Sequence, residues 1–137
     1  MLRLIYGAKG SGKTGKIIGE ANDFAKQCEG ALVFLTDTDK YTYKISYSIR
    51  LINVLEYDVH SDVELSGFIR GIIASNSDIM RIYIDGAHRM TRKTYDELEP
   101  FFTELDKIST AHNVELVLTI SAEDLPAYMQ GYTLHHA

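Results

Sequence analysis

A glycine-rich segment near the start of the chain has the residue types and the spacing that bind phosphate groups. It matches the pattern G-x-x-x-x-G-K-[ST] in full. Its eight residues are Gly7-Ala8-Lys9-Gly10-Ser11-Gly12-Lys13-Thr14. Glycines let such a loop wrap closely around phosphates, and the loop amides and the following helix N-terminus direct their positive ends at the anion. The sequence therefore predicts a phosphate-binding loop, and the alternative is a strand-to-helix turn that holds no ligand.

The last two residues of this segment have side chains suited to a nucleoside triphosphate and its metal ion. Lys13 is placed to reach the β- and γ-phosphates and is expected to face solvent when the site is empty, and the Thr14 hydroxyl can bind Mg²⁺. A second magnesium ligand, acting through water, is expected at Asp85, which follows the apolar run Ile82-Tyr83-Ile84. Asp85 can also be interpreted as a turn-forming residue before Gly86. The predicted cofactors are thus a nucleoside triphosphate and Mg²⁺, with Thr14 and Asp85 as the metal-binding residues.

The residue after Asp85 bears on whether the triphosphate is cleaved. Proteins that hydrolyse ATP often have a glutamate there, which orients and deprotonates the attacking water, whereas this chain has Gly86. His88 lies three residues beyond Asp85 and is a candidate for the γ-phosphate region, although a polar residue that opens a helix explains it equally well. The candidate catalytic residues are therefore Lys13, Asp85 and His88. Other acids remain open: Glu56, Asp58, Glu97 or a residue of a partner chain.

Further polar and basic residues follow the predicted strands. Thr119 and Ser121 close the last strand, where a polar side chain can sense the γ-phosphate, and Ser121 can equally cap a helix. Arg89, Arg92 and Lys93 follow Asp85 and can contact phosphate, a substrate or a neighbouring subunit. A solvated helix face is the alternative interpretation of these three cations.

The bulk composition limits the other classes of function. The chain has 137 residues, 45% of them hydrophobic, which fits one domain spanning residues 1–137. A formal net charge of −5 does not favour a broad nucleic-acid-binding surface. The single cysteine excludes a disulfide framework and a cysteine-rich zinc site. Since no apolar run could cross a bilayer and no signal peptide is evident, we expect a cytoplasmic protein without membrane insertion.

Apolar runs and helical spacing alternate along the chain. The patterns predict strands at 2–6, 31–35, 51–55, 79–84 and 114–120, and helices at 13–28, from 61 or 62 to about 74, and from 91 or 94 to about 110. Ser61 or Asp62 is expected to cap the second of these helices. Pro100 predicts a kink or a break in the last of these helices. Residues 40–50 predict an extended segment or hairpin arm, a short helix is expected after Ser121, and the tail from Gly131 is expected to fray. The order predicts an α/β fold with a mainly parallel five-stranded sheet and helices on both faces.

Two segments together resemble a minimal P-loop NTPase of the RecA/AAA type. They are Leu4 to Thr14, which correspond to Walker A, and Ile84-Asp85-Gly86, in which Asp85 corresponds to the Walker B acid. The resemblance implies a three-layer fold in which an extra strand separates the P-loop strand from the Walker B strand. Within that superfamily the chain most resembles small single-domain ATP-binding proteins of Firmicutes that carry a twitching-motility label.

A weaker resemblance is to type II thymidine kinases. The shared features are the P-loop helix, the strand Leu32-Val33-Phe34-Leu35, the Asp- and Tyr-containing loop from Asp37 to Tyr43, and the strand before Asp85. This resemblance implies a nucleoside kinase with the segment from Asp37 to Tyr47 as acceptor site or lid.

The favoured function is an ATP-binding protein with slow or partner-activated, Mg²⁺-dependent hydrolysis that acts as a switch or assembly factor. The chain has no Asn-Lys-x-Asp motif for reading guanine, so ATP is expected rather than GTP. A protein partner of unknown identity is expected, and a homo-oligomer is compatible with the sequence. A small-molecule or nucleoside kinase and a non-catalytic interaction domain with a vestigial P-loop stay open as alternatives.

Overall fold

The computed structural model describes residues 1–137 and contains one six-stranded sheet. The strands are β1 (Leu2–Gly7), β2 (Ala31–Thr36), β3 (Arg50–Asn53), β4 (Ile79–Ile84), β5 (Glu115–Ser121) and β6 (Thr133–His136). They lie in the spatial order β3-β2-β4-β5-β1-β6, and every neighbouring pair is parallel. β5 thus lies between β1 and β4. The predicted parallel α/β architecture is confirmed, but the predicted count of five strands is wrong.

Four α-helices connect these strands. They are α1 (Lys13–Ala25), α2 (Asp62–Ser75), α3 (Ala87–Thr91) and α4 (Glu99–His112), with short 3₁₀ turns at Val54–Tyr57, Tyr95–Leu98 and Ala127–Gly131. Ser61 caps α2 as predicted, because its side chain accepts a hydrogen bond from the Glu64 amide. None of the helices has the length and apolarity needed to span a bilayer.

Side chains on the two faces of the sheet belong to two separate hydrophobic clusters. Consecutive residues of β1 alternate between them, with Leu4 in the larger cluster and Ile5 in the smaller one. The larger cluster includes Leu65 of α2 and Phe102 of α4, and the smaller includes Ile17 of α1. Helices therefore cover both faces of the sheet, as the sequence predicts.

The sixth strand comes from the C-terminal tail, which was expected to fray. β6 pairs in parallel with β1 over Thr133–His136, and the Ala137 amide donates to the Tyr6 carbonyl at 2.8 Å. Without β6, β1 would be an edge strand with unpaired backbone groups. The four-residue strand is too short for its hydrophobic alternation to stand out in the sequence.

The segment between β2 and β3 is a series of turns and not the predicted extended arm. Ile45 and Ile49 are buried in the smaller cluster. Their spacing of four residues fits both an alternating strand and a helical turn, so the pattern could not distinguish the two. Asn22 of α1 fixes the turns, because its side chain accepts from the Ser46 amide and donates to the Lys44 carbonyl, both at 2.8 Å.

The predicted break at Pro100 is found, whereas the short helix expected after Ser121 is wrong. Pro100 lies in the first turn of α4, and its missing N–H costs no hydrogen bond at that position. The 3₁₀ turn Tyr95–Leu98 precedes it. No helix begins at Ser121, which is the last residue of β5.

The variant Phe102→Ala tests the packing of the larger cluster. The ring is fully buried and contacts the rings of Phe101, Tyr128 and Tyr132. Its removal leaves a cavity, so we expect the free energy of unfolding to fall by about 3–5 kcal/mol in urea denaturation. Tyr43→Ala is the matched control, because that ring is fully exposed and its loss should change stability by no more than about 0.5 kcal/mol. Similar losses in the two variants would contradict the packing described here.

Candidate phosphate-binding site

Parallel strand order brings three chain segments to one edge of the sheet. β1 ends at Gly7, β4 ends at Ile84 and β5 ends at Ser121. In the sheet register Gly7 pairs with Ser121, and Ile84 pairs with Leu118. The glycine-rich loop and Asp85 therefore leave the sheet at the same carboxyl-terminal edge, where ligands bind in open α/β sheets.

The glycine-rich loop leads directly into the N-terminus of α1. Gly12 caps the helix with φ 89°, a left-handed conformation that favours glycine. The amides of residues 12–15 make no backbone hydrogen bond, and the first that does is Lys16, whose N–H donates to the Gly12 carbonyl at 3.1 Å. These free N–H groups carry the positive end of the helix dipole.

Lys13 is folded back over the loop. Its ammonium donates to the Ala8 carbonyl at 2.9 Å, and the residue is only 7% exposed. Our expectation of a solvent-facing side chain at this position is therefore wrong. Burial lowers the pKa of Lys13, and the neighbouring Asp85 carboxylate opposes that shift.

Asp85 is the buried carboxylate of the site, with 3% exposure. Thr14 Oγ1 donates to its Oδ2 at 3.0 Å, and Thr119 Oγ1 donates to its Oδ1 at 2.6 Å. Thr119 also accepts the Gly86 amide at 3.3 Å. The two predicted metal-binding residues are thus in direct contact, and both present oxygen atoms, which are the ligands that Mg²⁺ prefers. Such an ion would take its remaining ligands from phosphate and water.

A cavity of about 330 Å³ opens where these groups meet. It is lined by Lys9, Gly10, Gly12, Lys13, Thr14, Asp85, Arg89 and Ser121. Three cations and one carboxylate line it, and none of the lining residues is hydrophobic. The cavity is therefore cation-rich although the whole chain carries a net charge of −5, and this local excess favours an anionic ligand.

Gly86 and Arg89 are packed against each other beside the cavity. Gly86 has φ 96°, and a Cβ atom placed on it would lie 2.1 Å from Arg89 Nη2. The Arg89 guanidinium makes a two-point ion pair with Asp37, from Nε to Oδ2 at 2.9 Å and from Nη2 to Oδ1 at 3.1 Å. The Asp37 hydrogen bonds raise the pKa of Arg89 above its usual value. A side chain at position 86 would require the Arg89 guanidinium to shift from this position.

His88 lies beside the cavity without lining it. Its Nδ1 is 2.9 Å from the Tyr95 hydroxyl, which already accepts the Ser121 amide at 2.8 Å. The phenol hydrogen is therefore free to point at His88 Nδ1. Burial lowers the pKa of His88 and raises that of Tyr95, so both groups are neutral near pH 7.

The other basic and acidic candidates are engaged elsewhere. Arg92 contacts the His60 ring, Lys93 pairs with Asp62, and Glu97 completes a capping box with Thr94. Neither Glu56 nor Asp58 lines the cavity. Of the three cations after Asp85, only Arg89 belongs to the site.

Sequence reasoning missed the carboxylates that hold the loop and Arg89. Glu123 accepts the Ala8 amide at 3.1 Å and is itself held by His136 Nε2 at 2.8 Å. Hydrogen bonding to His136 lowers the pKa of Glu123. Asp37 could have been found, because it directly follows strand β2 as Asp85 follows β4. Glu123 could not, since its partner lies on the unpredicted strand β6.

The chain matches no protein-family model and no curated protein.

The titration of His88 tests its burial against Tyr95. Because its folded-state pKa lies below the ordinary 6.5, the unfolded state binds more protons in mild acid. The free energy of unfolding that His88 contributes is therefore lost as pH falls below about 6.5. The loss is complete once the pH is below the folded-state pKa of His88. We expect an NMR midpoint below 6.5, assigned with His88→Gln, whereas His136 should titrate above 6.5 because Glu123 raises its pKa. A His88 midpoint at or above 6.5 would contradict its burial.

The variant Thr119→Val tests the hydrogen bonds to Asp85. Valine keeps the shape of threonine but leaves Asp85 Oδ1 and the Gly86 amide without their partner. We expect the free energy of unfolding to fall by about 1–3 kcal/mol, measured by chemical denaturation. Thr110→Val on the exposed face of α4 is the control and should change stability by about 0.5 kcal/mol or less. If both variants unfold alike, Thr119 does not support Asp85.

Proposed function

We propose that this chain binds ATP with Mg²⁺ in the cavity at the glycine-rich loop. The observation that carries the proposal is the placement of Lys9, Lys13 and Arg89 around a polar cavity of about 330 Å³ in an acidic protein. The amides of residues 12–15 at the N-terminus of α1 make no backbone hydrogen bond, and Gly12, Lys13 and Thr14 line the same cavity. A phosphate chain complements both features, because it is anionic and rich in hydrogen-bond acceptors.

Each part of the site has a role in this proposal. The loop amides hold the β-phosphate, and Lys13 exchanges its bond to Ala8 for oxygens of the β- and γ-phosphates. Thr14 and Asp85 hold the metal, which when bound neutralises phosphate charge. Thr119 fixes the Asp85 carboxylate in place.

The arrangement fits slow or partner-activated hydrolysis better than fast turnover. Apart from Asp85, no carboxylate lines the cavity, and His88 Nδ1 is engaged by Tyr95. A water molecule at the γ-phosphate therefore has no general base at hand in the isolated chain. This favours a switch or assembly factor whose nucleotide is cleaved when a partner supplies the missing group.

The position of β5 also supports the proposal. It lies between β1 and β4, as the resemblance to RecA/AAA-type P-loop NTPases implies for the strands before the loop and before Asp85. This is an argument from the fold, and function rests on the site itself.

The variant Lys13→Ala tests nucleotide binding. At 100 times its Kd, a ligand adds about 2.7 kcal/mol of stability, so the wild-type chain should show a clear thermal shift with ATP and Mg²⁺. Lys13→Ala should lose that shift and the calorimetric binding signal while remaining folded. Lys26→Ala at the far end of α1, where the side chain is 78% exposed, should bind like wild type. Unchanged ATP affinity in Lys13→Ala would refute the site.

A turnover assay on the same samples separates the functions. Fast ATP hydrolysis by the isolated chain would contradict the switch proposal. A phosphorylated product from a nucleoside and metabolite panel would favour a kinase in its place. Absence of any ATP binding by wild type would leave an interaction domain with a vestigial loop.

A further inference from the structure

We propose that Arg89 breaks its ion pair with Asp37 and binds the terminal phosphate of the nucleotide. This exchange couples the triphosphate state to the tyrosine loop. The tyrosine loop is defined here as residues 37–49, between β2 and β3. The inference rests on the proposed function and adds to it the group that distinguishes a triphosphate from a diphosphate.

Arg89 is in place to reach a phosphate at the metal side of the cavity. It lines the cavity together with Lys13, Thr14 and Asp85, and its side chain is about half exposed. Thr14 and Asp85 would hold the metal ion, so a phosphate bound beside them would have its charge neutralised by that ion. Arg89 stands on the same side.

The absence of a side chain at Gly86 leaves room for the Arg89 guanidinium. A Cβ atom there would lie 2.1 Å from Arg89 Nη2 and 2.5 Å from Cζ, so any side chain would displace the guanidinium. The Arg89 guanidinium thus packs against the backbone of residue 86, the position at which other proteins have a glutamate. That exchange puts a positive charge in place of a base beside the terminal phosphate.

Asp37 serves as the partner of Arg89 in this structure. Two parallel N–H···O bonds join them, at 2.9 and 3.1 Å. A phosphate offers two oxygens to a guanidinium in the same forked geometry. Arg89 can therefore change partners without losing hydrogen bonds, and the cost of the exchange falls on Asp37.

Asp37 is the first residue of the tyrosine loop, so its release reaches that loop directly. The preceding Thr36 has a fully buried hydroxyl with no hydrogen-bond partner, so a rearrangement of this junction could satisfy a group that is unsatisfied here. Further along, Tyr43 and Tyr47 are fully exposed. Both rings belong to the tyrosine loop, so the exchange at Asp37 would make their exposed surface respond to the nucleotide.

The first experiment compares the affinities for ATP and ADP, each with Mg²⁺, by calorimetry. Arg89→Ala should weaken ATP binding about tenfold or more and change ADP binding much less. Arg89→Lys should be intermediate, because it keeps the charge and loses the fork. Asp37→Asn should strengthen ATP binding, since it frees Arg89. Arg92→Ala, whose side chain contacts His60 outside the cavity, is the control and should leave both affinities unchanged.

The second experiment follows hydrogen exchange in the tyrosine loop. The amides of Lys44 and Ile49, which bond to the Tyr41 and Ser46 carbonyls at 2.9 Å, should exchange faster with a non-hydrolysable ATP analogue than with ADP. That difference should disappear in Arg89→Ala.

The outcomes separate the two proposals. If wild type binds neither nucleotide, the proposed function fails and the inference fails with it. If wild type binds both and Arg89→Ala weakens them equally or not at all, the inference fails and the proposed function stands. If the affinities change as expected but exchange in the loop does not, the coupling to the tyrosine loop is refuted.

Discussion

The hydrogen bonds of the buried Asp85 carboxylate join the parts of the site that the fold brings together. Thr14 comes from α1 and Thr119 from β5, and each donates to a different oxygen of the same carboxylate. A buried charge without such partners would be costly, so the loop, β4 and β5 are held in one relative position. The parallel order with β5 between β1 and β4 makes this three-way contact geometrically available.

Around that fixed carboxylate the remaining charges are balanced by exchangeable contacts. Lys13 donates to a backbone carbonyl, Arg89 pairs with Asp37, and the Ala8 amide donates to Glu123. None of these partners is more strongly basic than a phosphate, and the contacts of Arg89 and Ala8 are exposed to solvent. Binding of an anion would thus replace contacts of similar kind, and its affinity would be a net difference between them.

The sequence predicted the parts of this protein that depend on local pattern. The glycine-rich turn from β1 into α1, the α2 cap at Ser61 and the strand Ile79–Ile84 each have a signature within a few neighbouring residues, and the structure has all three elements where expected. Features that depend on distant contacts were not predictable. The turns of residues 37–49 depend on Asn22 of α1, and β6 exists because β1 offers an open edge.

The same distinction explains the errors at the site. Lys13 was expected to face solvent because the motif places it near phosphate, but the Ala8 carbonyl five residues earlier is its partner here. The meaning of Gly86 could not be read from its neighbours either. From the sequence alone, Gly86 is a missing glutamate, whereas in the structure it has φ 96° and packs directly against the Arg89 guanidinium. That contact joins residues three positions apart through a long side chain, so only the three-dimensional arrangement reveals it.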